Sequence, residues 1–177
     1  RAGIELEGAY AISKTWTLGG NLALSQNKIR EFTEYIDDYS VDEFRQETNT
    51  YTNTDIAFSP NVVGSAIIEY KPAKNLSINW LSKYVGRQFL DNTSNNARSL
   101  DAFFTNDLRI SYAATPRFFK GLEVNLLINN LFNELYEPNG YTFSYFVPGG
   151  FGRELVTENF YYPQAGTNFL LGVKMKF

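Results

Sequence analysis

The chain has 177 residues, a formal net charge of -3 and neither Cys nor His. This excludes nucleic acid as a partner, because binding a polyanion rests on clustered Lys and Arg, and it removes the common zinc, haem and thiol chemistries. A mean hydropathy of -0.29, with no apolar run near ~20 residues, excludes a helical membrane protein but not a β-barrel, in which polar and apolar positions alternate and average out.

The chain opens inside a patterned segment, with no initiating Met, basic n-region or apolar h-region, and is expected to be a piece of a larger polypeptide. Period-2 alternation predicts about seven strands, at 2–13, 16–32, 61–71, 75–89, 102–114, 121–131 and 167–177. One parity in each reads, in chain order, Ile4, Leu6, Gly8, Tyr10, Ile12; Trp16, Leu18, Gly20, Leu22, Leu24; Val62, Gly64, Ala66, Ile68, Tyr70; Leu76, Ile78, Trp80, Ser82, Tyr84; Phe104, Asn106, Leu108, Ile110, Tyr112; Leu122, Val124, Leu126, Ile128, Asn130; and Phe169, Leu171, Val173, Met175, Phe177. None of these residues is charged. The opposite parity carries Glu5, Glu7, Glu69, Lys83, Arg87, Asp107, Arg109, Glu123, Lys174 and Lys176.

Lipid accounts for the charge-free face, where a Lys or Arg costs roughly 2–4 kcal/mol at the bilayer midplane, and a wet or plugged lumen accounts for the other. A soluble sheet with one buried face gives the same alternation. Connection lengths separate the two readings. Residues 14–15, 71–74 and 115–120 are short connections, whereas 33–60, 90–101 and 132–166 are long, matching short periplasmic turns and longer extracellular loops. Tyr10, Trp16, Tyr70, Tyr84 and Tyr112 fall near strand ends on the apolar parity, as amphipathic rings at headgroup depth do. The expected fold is therefore all-β, a segment of one antiparallel transmembrane β-barrel spanning residues 1–177. Seven strands alone would leave unpaired edges, which lipid does not tolerate, so further strands are expected from upstream sequence.

Two stretches carry a family resemblance. Asn129-Asn130-Leu131-Phe132-Asn133, continuing to Tyr136 and Pro138, is similar to the segment at the penultimate strand of TonB-dependent receptors. The run from Tyr161 to Phe177, with Phe169, Leu171, Val173, Met175 and Phe177 alternating, resembles their closing strand. The wording Tyr161-Tyr162-Pro163-Gln164-Ala165-Gly166 most resembles receptors of Bacteroidetes-type bacteria, of the iron-complex or general branch rather than the SusC-type branch. The resemblance implies a 22-stranded outer-membrane barrel around an N-terminal plug that this chain does not contain. It implies import of a scarce ligand (siderophore, haem, cobalamin or similar) with energy relayed by the TonB complex through that plug, and no enzymatic activity. It also implies outer-membrane lipid as surroundings, the barrel-assembly machinery as a partner during biogenesis, and in some relatives a surface lipoprotein. A passive porin, another outer-membrane barrel and a soluble β-sheet binding module are the alternatives.

The assembly signal is expected at Phe169, Leu171, Val173, Met175 and Phe177, which read equally well as an ordinary lipid-facing strand. Ligand contact is expected from the aromatic-rich 132–166 loop, through Tyr141, Tyr145, Phe146, Arg153, Tyr161 and Tyr162, since rings with a few polar groups suit ligand capture. The same rings, with Phe143, Phe151 and Phe160, also suit a small core of the loop's own. The acidic run Glu34, Asp37, Asp38, Asp42, Glu43, Glu47, Asp55 lacks the spacing of a calcium loop and reads as solvated surface; no metal and no cofactor is expected. Asp107 and Arg109, with Lys83 and Arg87, are a candidate lumen charge ladder. No nucleophile–base pair and no phosphate loop is present, so catalytic residues are not assigned.

Overall fold

The computed structural model describes residues 1–118, 120–150 and 152–177; Phe119 and Phe151 lie outside them. Thirteen strands occur among the described residues and no helix. Seven form one antiparallel sheet in the order β1 (Ala2–Ala11), β2 (Trp16–Gln26), β5 (Val62–Ala73), β6 (Leu76–Val85), β9 (Phe103–Ala114), β10 (Gly121–Asn129) and β13 (Asn168–Lys176). Each coincides with a segment expected from alternation, and the sheet is open, with β1 and β13 at its edges.

Register turns the alternation into a surface. Leu6 faces Leu22, Leu18 faces Ile68, and Ile68 faces Trp80. Trp80 faces Leu108, Ile110 faces Leu126, and Leu126 faces Leu171. Apart from a bulge in β5 between Tyr70 and Ala73, the charge-free parity of every strand thus pairs with that of its neighbour, because a slip of one residue would move a whole strand to the other face. This face is exposed: Leu6 keeps 60% of its accessible surface and Leu171 keeps 60%. Trp16 and Tyr70 stack at 4.3 Å near the short-turn end, joining two of the expected girdle rings. The reverse face is a polar ladder. Ser65 donates to Asn21, Ser77 to Glu69, Ser111 to Asn125, and Asn129 to Asn168.

The remaining strands correct the expectation of about seven. Residues 33–60 and 132–166 are not strand-free loops. β3 (Lys28–Asp38) and β4 (Arg45–Asp55) form one hairpin, and β11 (Asn139–Gly149) and β12 (Gly152–Tyr162) form another. The two join as a four-stranded sheet, β12-β11-β3-β4. The segment expected as one strand over 16–32 divides at Asn27, where β2 gives way to β3. Alternation runs through both hairpins, but Thr, Asn and acidic residues hide it in β4, and β11 alternates aromatics with Thr and Ser rather than with charge. The segment expected as one strand over 75–89 divides after Val85, and its end, β7 (Gln88–Phe89), pairs with β8 (Ser99–Leu100) as a minimal hairpin across the third long connection.

The core lies where these connections meet. Ile36 and Leu100 are fully buried, with Leu90, Val85 and Phe103 close behind. Burying each such side chain contributes roughly 1.5–3 kcal/mol. A Cβ at Gly140 would strike the Phe160 carbonyl oxygen and sit 3.1 Å from Leu90 Cδ2, so glycine there lets β11 close onto the third connection.

Candidate ligand cleft between the hairpins

The four-stranded sheet has two unlike faces, set by register. Tyr145 pairs with Asp37 and Phe146 with Asp38 in a short parallel contact, reinforced by the Tyr39 amide donating to the Phe146 carbonyl at 2.8 Å. Glu34, Ile36, Asp38, Ser144, Phe146 and Arg153 belong to the face that meets the third connection. Tyr35, Asp37, Tyr39, Tyr141, Phe143, Tyr145, Glu158, Phe160 and Tyr162 belong to the other. That second face is a run of rings. Tyr141 stacks on Phe160 at 4.8 Å, and Phe143 stacks on Phe160 at 5.9 Å and on Tyr145 at 5.8 Å.

Because β3 and β11 touch over only two residue pairs, they part on one side of the contact and leave a cleft of about 730 Å³. Its walls include Phe32, Tyr35, Tyr39, Phe143 and Tyr145, and Arg98 forms its floor. Arg98 is 5% exposed, and its guanidinium binds all three long connections. Nη1 donates to Glu34 at 2.6 Å and to Asp91 at 2.8 Å, and Nη2 donates to Ser144 at 2.7 Å. Tyr51 donates to the second Glu34 oxygen, and Thr93 donates to the second Asp91 oxygen. Burial alone would lower the Arg98 pKa, but the hydrogen bonds to Asp91 and Glu34, with the charges of both carboxylates, outweigh it and hold the guanidinium above its usual value. Arg98 stays charged.

Arg153 makes a second tie. It donates to Asp38 at 3.0 Å and to Glu47 at 2.7 Å and lies 4.2 Å over the Phe146 ring. The Glu47 carboxyl is held below its usual range chiefly by the hydrogen bond from Arg153. Asp38 is held low first by the Ser40 hydroxyl and then by Arg153.

Among the expected ligand residues, Tyr141, Tyr145 and Tyr162 share the exposed aromatic face, whereas Phe146, Arg153 and Tyr161 belong to the opposite parity. Phe169, Leu171, Val173 and Met175 line the charge-free face of β13, and Phe177 follows it, 77% exposed. The motif 129–133 makes a turn. Asn130 (φ 49°) and Asn133 (φ 56°) adopt left-handed backbone, which Asn tolerates better than most residues. Asn130 Nδ2 donates to the carbonyls of Glu134 and Ala165, and its Oδ1 accepts from the Glu134 backbone amide. Asn133 Oδ1 accepts from the Thr167 amide. Asn129 bonds Asn168, Phe132 leans on Trp80 at 5.7 Å, and Leu131 donates its amide to the Asn106 carbonyl. The expected lumen charge ladder does not assemble. Asp107 accepts from the Asn130 backbone N–H and Arg87 donates to Asn96, while among the described residues no ion pair links Asp107, Arg109, Lys83 and Arg87. The Arg98 node was invisible in the sequence, since Glu34 and Ser144 lie 64 and 46 residues away from it. The acidic run read as solvated surface contains Glu34, Asp38 and Glu47, which these two arginines neutralise.

A family model described as TonB dependent receptor-like, beta-barrel, matches residues 1–131. Among solved structures, the chain is similar to the siderophore receptor PiuA from Acinetobacter baumannii, with a TM-score of 0.67 and 15% identity, covering 97% of this chain and 21% of that one. It is also similar to the ferric yersiniabactin uptake receptor FyuA from Yersinia pestis, with a TM-score of 0.61 and 13% identity over 99% of this chain and 23% of that one. The ferric-catecholate import receptor Fiu from Escherichia coli K12 aligns with a TM-score of 0.57 and 18% identity over 99% of this chain and 20% of that one. This chain therefore spans about a fifth of the length of these structures. No curated protein matches it.

Proposed function

We propose, since the chain belongs to the TonB-dependent receptor-like β-barrel family, that it is the C-terminal segment of a 22-stranded outer-membrane barrel whose plug lies elsewhere in the polypeptide. The assembled receptor imports a scarce ligand, foremost an iron chelate, with energy relayed by TonB. The observation that carries this reading is the continuous charge-free face across seven paired strands, exposed in large aliphatic and aromatic side chains. Lipid is the surrounding that such a face needs. The open edges of β1 and β13 call for neighbouring strands in the complete barrel, and the outer side chains of β13 suit recognition by the assembly machinery through strand pairing.

In this reading the hairpins β3-β4 and β11-β12 stand on the extracellular side. Tyr141, Tyr145 and Tyr162 meet the ligand, and Phe146, Arg153 and Tyr161 frame the surface behind them. The wording of residues 161–166 favours a Bacteroidetes-type receptor of the iron-complex or general branch. The test is uptake of radiolabelled ferric chelates by cells carrying the complete protein, with and without a protonophore. An energised receptor loses uptake when the proton gradient collapses. Uptake that persists identifies a passive pore instead.

A further inference from the structure

Charge and cleft geometry together narrow the ligand class, resting on the receptor reading above. We infer that the cleft between β3 and β11 takes an iron chelate bearing an organic cation, an ammonium or guanidinium group, and rejects anionic chelates. The cleft is lined by four carboxylates, Glu34, Asp37, Asp91 and Glu158, against one cation, Arg98. Arg98 is already engaged by Glu34 and Asp91. Asp37 and Glu158 have no cationic partner among the described residues. They are held by neutral donors instead: Gln46 donates to Asp37 at 2.7 Å, Tyr39 donates to Asp37 at 3.3 Å, and Tyr145 donates to Glu158 at 3.1 Å. Neutral donors orient a carboxylate without cancelling its charge.

The surrounding surface suits a cation as well. The charge of Asp37 raises the Tyr39 pKa, and the hydrogen bond to Glu158 raises that of Tyr145, so both phenols remain neutral donors. Their rings meet edge to face at 6.2 Å, and Phe143 stacks beside Tyr145. Ring faces beside uncompensated carboxylates attract an organic cation by its charge and by the ring quadrupole. Thr142 and Arg98 also border the cleft. An anionic chelate would meet the uncompensated carboxylates as like charges, which disfavours the wrong partner.

The test compares three probes on the complete protein purified in detergent: ferrioxamine B, whose neutral ferric core carries one free ammonium; its N-acetyl derivative, which lacks that charge; and an anionic ferric tris-catecholate. Ferrioxamine B is expected to bind at least about tenfold more tightly than the acetylated form, the scale of one charge-assisted hydrogen bond. The double variant Asp37→Asn/Glu158→Gln, which keeps oxygen acceptors for both tyrosines, is expected to abolish that difference. Equal binding of the acetylated and free-amine forms, or tighter binding of the catecholate, overturns the inference and leaves the receptor reading standing. Binding of none of the three overturns the iron-chelate reading and this inference with it.

Discussion

Replacing Arg98 with Met should open the long-loop end of the molecule without unfolding the barrel sheet. Removing one partner from a buried ion pair costs about 3–5 kcal/mol, because the other charge is left buried. Here the two carboxylates retain some solvent, with side-chain exposures of 13% for Glu34 and 21% for Asp91. Each also keeps a hydroxyl donor, from Tyr51 and Thr93 respectively. The expected cost is therefore about 2–4 kcal/mol, which at 1.4 kcal/mol per decade raises the open population by about 30–700-fold. Amide hydrogen exchange, read peptide by peptide, should show this acceleration in β3, β11 and residues 90–101, with β10 and β13 unchanged. The triple variant Arg98→Met/Glu34→Gln/Asp91→Asn removes the stranded charges and should recover most of the protection. Acceleration below about threefold, or a triple variant as open as the single one, would refute the argument that Arg98 joins the three connections.

Three further outcomes follow from the same geometry. Asn130→Ala should cost about 2–4 kcal/mol, since it strands the Glu134 amide and the carbonyls of Glu134 and Ala165 at about 1 kcal/mol or more each, and heat-modifiable mobility on gels should reveal the loss of folded barrel. Leu126→Arg, on the outer face, should lower barrel stability by about 2–4 kcal/mol, whereas Leu127→Arg on the reverse face should change it by less than about 1 kcal/mol; urea titration in lipid vesicles measures both. Acid should loosen the hairpin contact made by Arg153. The lowered pKa values of Asp38 and Glu47 stabilise the folded state fully above the ordinary carboxylate range, and the effect fades as pH falls through the lowered values; hydrogen exchange at Gln46 and Phe146 as a function of pH checks the direction.

The seven-stranded sheet was legible because its two faces make opposite demands on charge at alternate residues, and register preserved them: apart from the bulge between Tyr70 and Ala73, every pair from Ile4–Leu24 to Ile128–Phe169 keeps the charge-free parity together. The upright hairpins were not legible. Their strands answer to each other and to the small core at Ile36 and Leu100 rather than to the charge-free face of the larger sheet, so Thr and Asn substitute for the apolar half of the pattern in β4. The cleft depends on contacts such as Arg98 with Glu34 and Arg153 with Asp38, in which the partners are 64 and 115 residues apart, and local periodicity has no means of registering them. The Asn-rich motif was visible as a pattern, but its work as a hydrogen-bonded turn between β10 and the start of β13 emerges only from the positive φ angles of Asn130 and Asn133.

The central claim is that one face of the seven-stranded sheet meets lipid. This chain contributes no cysteine, so single cysteines can be placed in turn from Leu122 to Ile128 along β10 of the complete protein, labelled with a bimane fluorophore and reconstituted with a lipid carrying a quencher on its acyl chain. The account predicts period-two quenching, strong at 122, 124, 126 and 128 and weak at 123, 125 and 127. Uniform quenching, or the opposite alternation, would contradict it.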